Sequence, residues 1–188
     1  FLMILRPPRS TRKESSAASD VYKRQDERTD HRSTSWYFGG KKVILIGLPG
    51  AFTPTCTNQM LPDYELLYDK FKAIGIDQIY CTSVNDDYVM EGWARQEKIK
   101  KIEMIPDGNG ELAESVGMLV KKTNLGMGNR SWRYAMYIDD GVIIREWAES
   151  GKMHNSPHDP YEETKADEVY KDLCDDFGLL REDLIEDH

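Results

Sequence analysis

The sequence predicts an α/β domain with a mixed central β-sheet flanked by helices, and three observations lead to this prediction. Short apolar runs alternate with segments whose apolar residues recur every three or four positions, as when strands alternate with helices. Asp139-Asp140-Gly141 joins two apolar runs late in the chain, a hairpin signal that adds antiparallel strands. The length of 188 residues, with 39% hydrophobic and 10% aromatic residues, suits one globular domain.

The first half of the predicted domain is strand, helix, strand, helix. Residues 43–46 are all apolar, as expected for a strand buried on both faces. A helix is predicted to begin near Pro54 or Thr55, because proline is tolerated in the first turn. Pro62 should kink or interrupt that helix. Residues 79–84 form the next predicted strand, and the apolar faces of the two helices comprise Tyr64, Leu67, Tyr68 and Phe71, then Val89, Met90, Trp93 and Ala94.

The second half adds a short strand at residues 102–105, a turn at 107–110 and a brief helix around Ala113. The hairpin strands are predicted at residues 134–138 and 142–147. An acidic amphipathic helix closes the chain, its apolar stripe formed by Val169, Leu173, Phe177, Leu180 and Leu184. Taken together, this order of elements is typical of the thioredoxin-like fold.

The formal net charge of −8 conceals a break in the chain. Residues 1–40 carry eight Lys and Arg against five acids, so their net charge is +3, and the net charge of residues 41–188 is −11. We interpret residues 1–35 as a leader without a fixed fold, because it has too little apolar surface to offset its ordering entropy. The leader is either non-native, similar to the read-through of a sequencing adapter, or a transit peptide. Residues 36–188 are predicted to form a single domain.

Composition argues against several classes of protein. The sequence pI near 5.1 leaves no basic footprint for nucleic acid or anionic lipid, and no apolar stretch is long enough to span a membrane. The three cysteines contain no CxxC pair and no zinc-ligand spacing, and His154 and His158 bracket a proline in a polar loop. We therefore expect no metal and no cofactor, and a cytoplasmic protein, or a mitochondrial one if the leader is genuine.

Cys56 is the cysteine whose position indicates chemistry. It is predicted one or two residues inside a helix that follows a buried strand and a tight loop. A free cysteine has a pKa of about 8.5, and the unpaired N–H groups of a helix N-terminus favour the thiolate, which is the nucleophile. Pro49 and Pro54 stiffen the approach, and Thr53 places a hydroxyl one turn before the sulfur.

The segment from Pro49 to Cys56 reads PGAFTPTC and resembles the PxxxTxxC active-site signature of peroxiredoxins. This segment, with Leu61-Pro62 after it, is similar in sequence to the type-five branch of the family, which is linked to glutaredoxin and glutathione. The resemblance continues through residues 83–86, 107–110 and 128–134 and covers roughly residues 40–149.

This resemblance implies a thiol peroxidase that reduces hydrogen peroxide and organic hydroperoxides and serves cell redox homeostasis. Cys56 would be the cysteine that attacks the peroxide, Thr53 would orient the peroxide, and Pro49 would shield the sulfur from water. Arg133 would supply the guanidinium near the sulfur, and Arg130, three residues earlier, is the alternative. A different reading is a non-enzymatic redox sensor or scaffold that uses the same cysteine.

The resemblance also implies that peroxide leaves a sulfenic acid on Cys56, which a second thiol must then reduce. Cys81 lies in a predicted buried strand and is interpreted as an inert core thiol. Cys174 could resolve the sulfenate, but the family's resolving position lies in the loop after the hairpin, and here residues 151–160 contain no cysteine. We therefore expect one-cysteine behaviour, reduction by an external thiol such as glutathione, glutaredoxin or thioredoxin, and a homodimer.

Overall fold

The computed structural model describes residues 32–179, and its centre is a five-stranded β-sheet within that range. Two further short strands pair as a separate ribbon. The strands are β1 (Lys42–Gly47), β2 (Gln78–Ser83), β3 (Glu103–Pro106), β4 (Leu119–Lys121), β5 (Asn129–Ser131), β6 (Tyr134–Asp139) and β7 (Val142–Ala148).

The sheet is mixed, with strand order β3-β2-β1-β6-β7. β1 runs parallel to β2, and β2 runs parallel to β3. β6 is antiparallel to β1, with Tyr134 opposite Gly47, and forms the predicted hairpin with β7. This topology, flanked by helices, confirms the predicted thioredoxin-like α/β fold.

The helices are α1 (Thr34–Phe38), α2 (Leu61–Ala73), α3 (Asp87–Gln96), α4 (Glu111–Ser115) and α5 (Ala166–Asp176). A π-helical turn, Cys56–Met60, leads directly into α2, and a 3-10 turn occupies Thr123–Leu125. α1 begins two residues before position 36, where the sequence analysis starts the domain. The rest of the leader, and Leu180 and Leu184 of the predicted closing helix, lie outside the described residues.

The core lies on both faces of β1, as the all-apolar run predicts. Ile44 and Ile46 face one side, where α2, α3 and α5 pack. Val43 and Leu45 face the other side, which α1 covers with Phe38 and the β4-β5 ribbon covers with side chains such as Val120. Because both faces are filled, the sheet provides a rigid support for the loops at its edge.

The β4-β5 ribbon was not predicted. Each strand has only three residues, and the paired residues include Lys121, Asn129 and Arg130. A run this short and polar carries no two-residue apolar alternation, so its pairing depends on the tertiary context.

Gly47 offers a test of how closely the sheet is packed. A Cβ at this position would lie 2.0 Å from Cε1 of the buried Tyr134 ring. We expect Gly47→Ala to lower the free energy of unfolding by about 1–3 kcal/mol, because the ring must shift inside a filled core. Urea unfolding measures this change.

Gly92→Ala is the matched control. Gly92 lies inside α3, where an added Cβ would meet no atom within 4 Å apart from its chain neighbours and the local helix backbone, so the same substitution should raise the free energy of unfolding by about 0.5–1 kcal/mol. Equal effects at the two positions would contradict the packing described for Gly47.

Candidate active site

Cys56 lies at the start of the helical segment that follows β1, where the sequence predicts it. Residues 54 and 55 are already helical, and Cys56 opens the π-helical turn. The N–H of Leu61 donates to the Cys56 carbonyl, five residues back. Pro62 has no N–H for the α-helical bond to Asn58, so the interruption predicted at Pro62 takes the form of a wider turn just before it.

Hydrogen bonds fix the conformation of the loop between β1 and Cys56. The Thr53 hydroxyl donates to the Gly50 carbonyl at 2.7 Å, and the Thr57 N–H donates to the Thr53 carbonyl at 2.9 Å. From the loop after β2, the Asn85 side-chain oxygen accepts the Ala51 N–H at 3.0 Å. Pro49 is buried beside Gly50. These contacts place the predicted residues Pro49 and Thr53 on one ordered turn that leads to the thiol.

Arg133 is the charged group that reaches Cys56. Its side chain is 1% exposed, and its Nη1 lies 3.5 Å from the Cys56 Sγ and 3.5 Å from the Met60 Sδ. On the far side, Nη2 donates to Asp159 Oδ1 at 2.6 Å and Nε donates to the Pro160 carbonyl at 2.9 Å. The guanidinium therefore bridges two sulfurs and a carboxylate inside the protein.

The environment keeps this guanidinium charged. Burial by itself would lower the pKa of Arg133, but the charges of Cys56 and Asp159 and hydrogen bonds to both raise it overall. Since a buried charge needs charged or hydrogen-bonding partners, the contacts to Cys56 and Asp159 stabilise the buried guanidinium.

Arg130, the alternative arginine, has different partners. Its Nε donates to the Met127 carbonyl at 2.9 Å, and its Nη1 donates to the Val84 carbonyl at 2.8 Å. A Cβ added to Gly50 would lie 3.6 Å from this Nη1. Arg130 therefore borders the loop, while the structure brings Arg133 to the sulfur.

Four contacts of Arg133 were not predicted. They come from Met60, Asp159, Pro160 and Tyr161, whose ring centre lies 5.7 Å from the guanidinium carbon. Met60 follows Cys56 by four residues, a spacing that could have placed both on one helical face. The other three lie in a polar segment without periodicity, where the sequence carries no signal for a partner 26 to 28 residues away.

The other two cysteines are buried thiols. Cys81, in β2, is fully buried, and burial, with the nearby Cys56 charge adding to it, raises the pKa of its thiol well above the usual range. Cys174, in α5, is 3% exposed, and burial raises the pKa of its thiol while a hydrogen bond with Tyr170 partly opposes the rise. All three cysteines carry free thiols.

Residues 32–179 contain no cluster of three or more His, Cys, Asp or Glu side chains suited to holding a metal ion. His154, one of the two histidines weighed in the sequence, accepts the Lys121 N–H at 3.1 Å through Nδ1. No helix in the described part of the chain has the length and apolar character to cross a membrane.

Comparison with known proteins finds a matching family and similar sequences. The Redoxin family profile matches residues 15–169. The peroxiredoxin sll1621 of Synechocystis is 50% identical over 140 residues, which cover 74% of each chain. The hybrid peroxiredoxin hyPrx5 of Haemophilus influenzae is 46% identical over 151 residues, or 80% of this chain and 61% of that protein.

The fold of this chain is also similar to that of solved structures. The Plasmodium falciparum antioxidant protein, a 1-Cys peroxiredoxin, superposes with a TM-score of 0.75 and 41% identity, over 77% of this chain and 84% of that chain.

Proposed function

The chain belongs to the peroxiredoxin family, in its type-five branch, and is a thiol-dependent peroxidase; from this premise we propose that Cys56 attacks the peroxide and that Arg133, Thr53 and Pro49 complete its site. The observation that carries the proposal is the 3.5 Å contact between Arg133 Nη1 and the Cys56 sulfur. The redox-sensor alternative is not favoured, because the relatives reported above are peroxiredoxins.

The reaction begins when the Cys56 thiolate attacks one oxygen of the peroxide bond. A hydroxyl group is transferred to sulfur, the O–O bond breaks, and the departing oxygen takes a proton and leaves as water or an alcohol. Sulfur is oxidised to a sulfenic acid while the peroxide is reduced. Negative charge moves from sulfur to the departing oxygen, so a fixed guanidinium beside both stabilises the transition state.

Thr53 and Pro49 complete the site in complementary ways. Because the Thr53 hydroxyl donates to Gly50, its lone pairs are left to accept the peroxide O–H. The buried Pro49 ring presents apolar surface and has no N–H, which limits water near the sulfur. Hydrogen peroxide and small organic hydroperoxides are the proposed substrates.

We propose one-cysteine behaviour for the second half of the cycle. Cys81 and Cys174 are buried and their raised thiol pKa values keep them protonated at neutral pH, so both are poor nucleophiles towards a sulfenic acid. An external thiol, from glutathione, glutaredoxin or thioredoxin, then reduces the enzyme. We further propose a homodimer that acts in the cytoplasm, or in mitochondria if residues 1–35 are a transit peptide.

Cys56→Ser tests the assignment of the reacting thiol. We expect it to abolish the single-turnover consumption of hydrogen peroxide measured by stopped flow, because the serine hydroxyl is not ionised at neutral pH. Cys81→Ser and Cys174→Ser are the matched controls and should keep the first step. Peroxide consumption that persists in Cys56→Ser would overturn the proposal.

Intact-mass analysis after one equivalent of peroxide tests the one-cysteine cycle. We expect the protein to gain one oxygen atom, and to form a mixed disulfide once glutathione is added. Loss of two hydrogens instead, with a Cys56–Cys174 or Cys56–Cys81 disulfide in the peptide map, would show that an internal thiol resolves the sulfenic acid.

A further inference from the structure

Glu149 joins the two ends of the segment that connects β7 to α5, here called the closing loop (residues 150–165). Its side chain is 2% exposed. One carboxylate oxygen, Oε1, accepts the Glu162 N–H at 2.9 Å, the Thr164 N–H at 2.9 Å and the Thr164 hydroxyl at 2.8 Å. These three hydrogen bonds to one oxygen form a clamp that holds the ends of the closing loop together, as in a compact Ω-loop.

The middle of the closing loop supplies the partners of Arg133. Asp159 receives the Nη2 donor at 2.6 Å, and the Pro160 carbonyl receives the Nε donor at 2.9 Å. The Asp159 side chain is 39% exposed. Because Asp159 is partly open to solvent while Arg133 is buried, water competes for the carboxylate, and the pair orients Arg133 only if the loop holds Asp159 in place.

The backbone of Glu149 also makes hydrogen bonds with Arg133 and with Trp132, the residue before it. Its backbone N–H donates to the Arg133 carbonyl at 3.1 Å, and its carbonyl accepts the Trp132 indole N–H at 2.7 Å. The Thr164 carbonyl accepts the Tyr64 hydroxyl at 3.0 Å, which fastens the clamp to α2, the helix that continues from Cys56. Glu149 thus contacts the backbone of Arg133 and the loop that holds its side chain, and Thr164 links that loop to the helix of the thiol.

We propose that Glu149 is a positioning residue for the peroxidase reaction: by clamping the closing loop it makes Asp159 and Pro160 hold the guanidinium of Arg133 against Cys56. The inference rests on the role proposed above for Arg133. Without the clamp, residues 162–164 lose their hold on Glu149, and the conformational freedom that this end of the closing loop regains opposes a single orientation of the guanidinium.

Two reactions of the same thiol separate positioning from general destabilisation. Peroxide reduction requires an oriented donor for the departing oxygen, whereas alkylation by iodoacetamide requires only the thiolate. The ratio of the peroxide rate constant to the iodoacetamide rate constant therefore reports the placement of Arg133. A change that merely loosens the fold alters access to Cys56 for both reagents.

Glu149→Met and Glu65→Met form a matched pair for this measurement, because methionine has a similar volume and lacks the carboxylate oxygens that accept the N–H and O–H bonds, whereas a glutamine amide would keep one of them. Glu65 also clamps a loop with its carboxylate, accepting the N–H groups of Lys100, Lys101 and Ile102 at 2.9, 3.0 and 3.1 Å, but none of its recorded contacts involves Arg133. We expect Glu149→Met to lower the rate ratio on the order of 10- to 100-fold and Glu65→Met to leave it unchanged. Equal ratios in the two variants would overturn the proposal.

Thr164 provides a second route if Glu149→Met does not fold. Thr164→Val removes one of the three donors to the clamp at nearly constant volume and should lower the ratio, while Thr164→Ser keeps the hydroxyl and should restore it. Cys56→Ser separates the two proposals. If that variant is inactive but Glu149→Met behaves like Glu65→Met, only the positioning role fails; if Cys56→Ser remains active, the proposed function fails.

Discussion

A buried guanidinium organises this end of the molecule. Removing an unpaired charge from water costs several kcal/mol even after the protein relaxes, so Arg133 requires partners on every side. The structure supplies the Cys56 sulfur and the Met60 sulfur on one side, and Asp159 and the Pro160 carbonyl on the other. The thiol and the closing loop are consequently parts of one electrostatic unit, and a thiolate at Cys56 supplies charge that Arg133 needs.

The register of the sheet explains how distant segments meet at that guanidinium. Gly47 at the end of β1 pairs with Tyr134 at the start of the antiparallel β6, so the loop leading to Cys56 and the residue before β6, Arg133, emerge at the same edge. β2 runs parallel to β1 and ends there too, which brings Asn85 to the Ala51 N–H. The fold therefore sets the distance between sulfur and guanidinium before any side chain is adjusted.

The sequence sufficed for features encoded within a few residues of each other. The buried strand β1, the helix start at Cys56 and the hairpin of β6 and β7 follow from local apolar patterns, prolines and turn residues, while Arg133 came from the resemblance. The clamp on Glu149 and the pair of Asp159 with Arg133 link residues 13 to 26 positions apart across an irregular loop. Such pairs depend on where the chain turns, which polar residues without periodicity do not reveal.

The central claim is that Arg133, and not Arg130, stabilises the reacting oxygens at Cys56. The most direct test is the single-turnover rate constant for hydrogen peroxide in Arg133→Met and in Arg130→Met, measured by stopped flow. Loss of the donor next to the sulfur should slow Arg133→Met on the order of 100-fold or more, and Arg130→Met, which loses contacts to the Met127 and Val84 carbonyls, should be slowed far less. Equal rate constants in the two variants, or a near-normal one in Arg133→Met, would contradict the account.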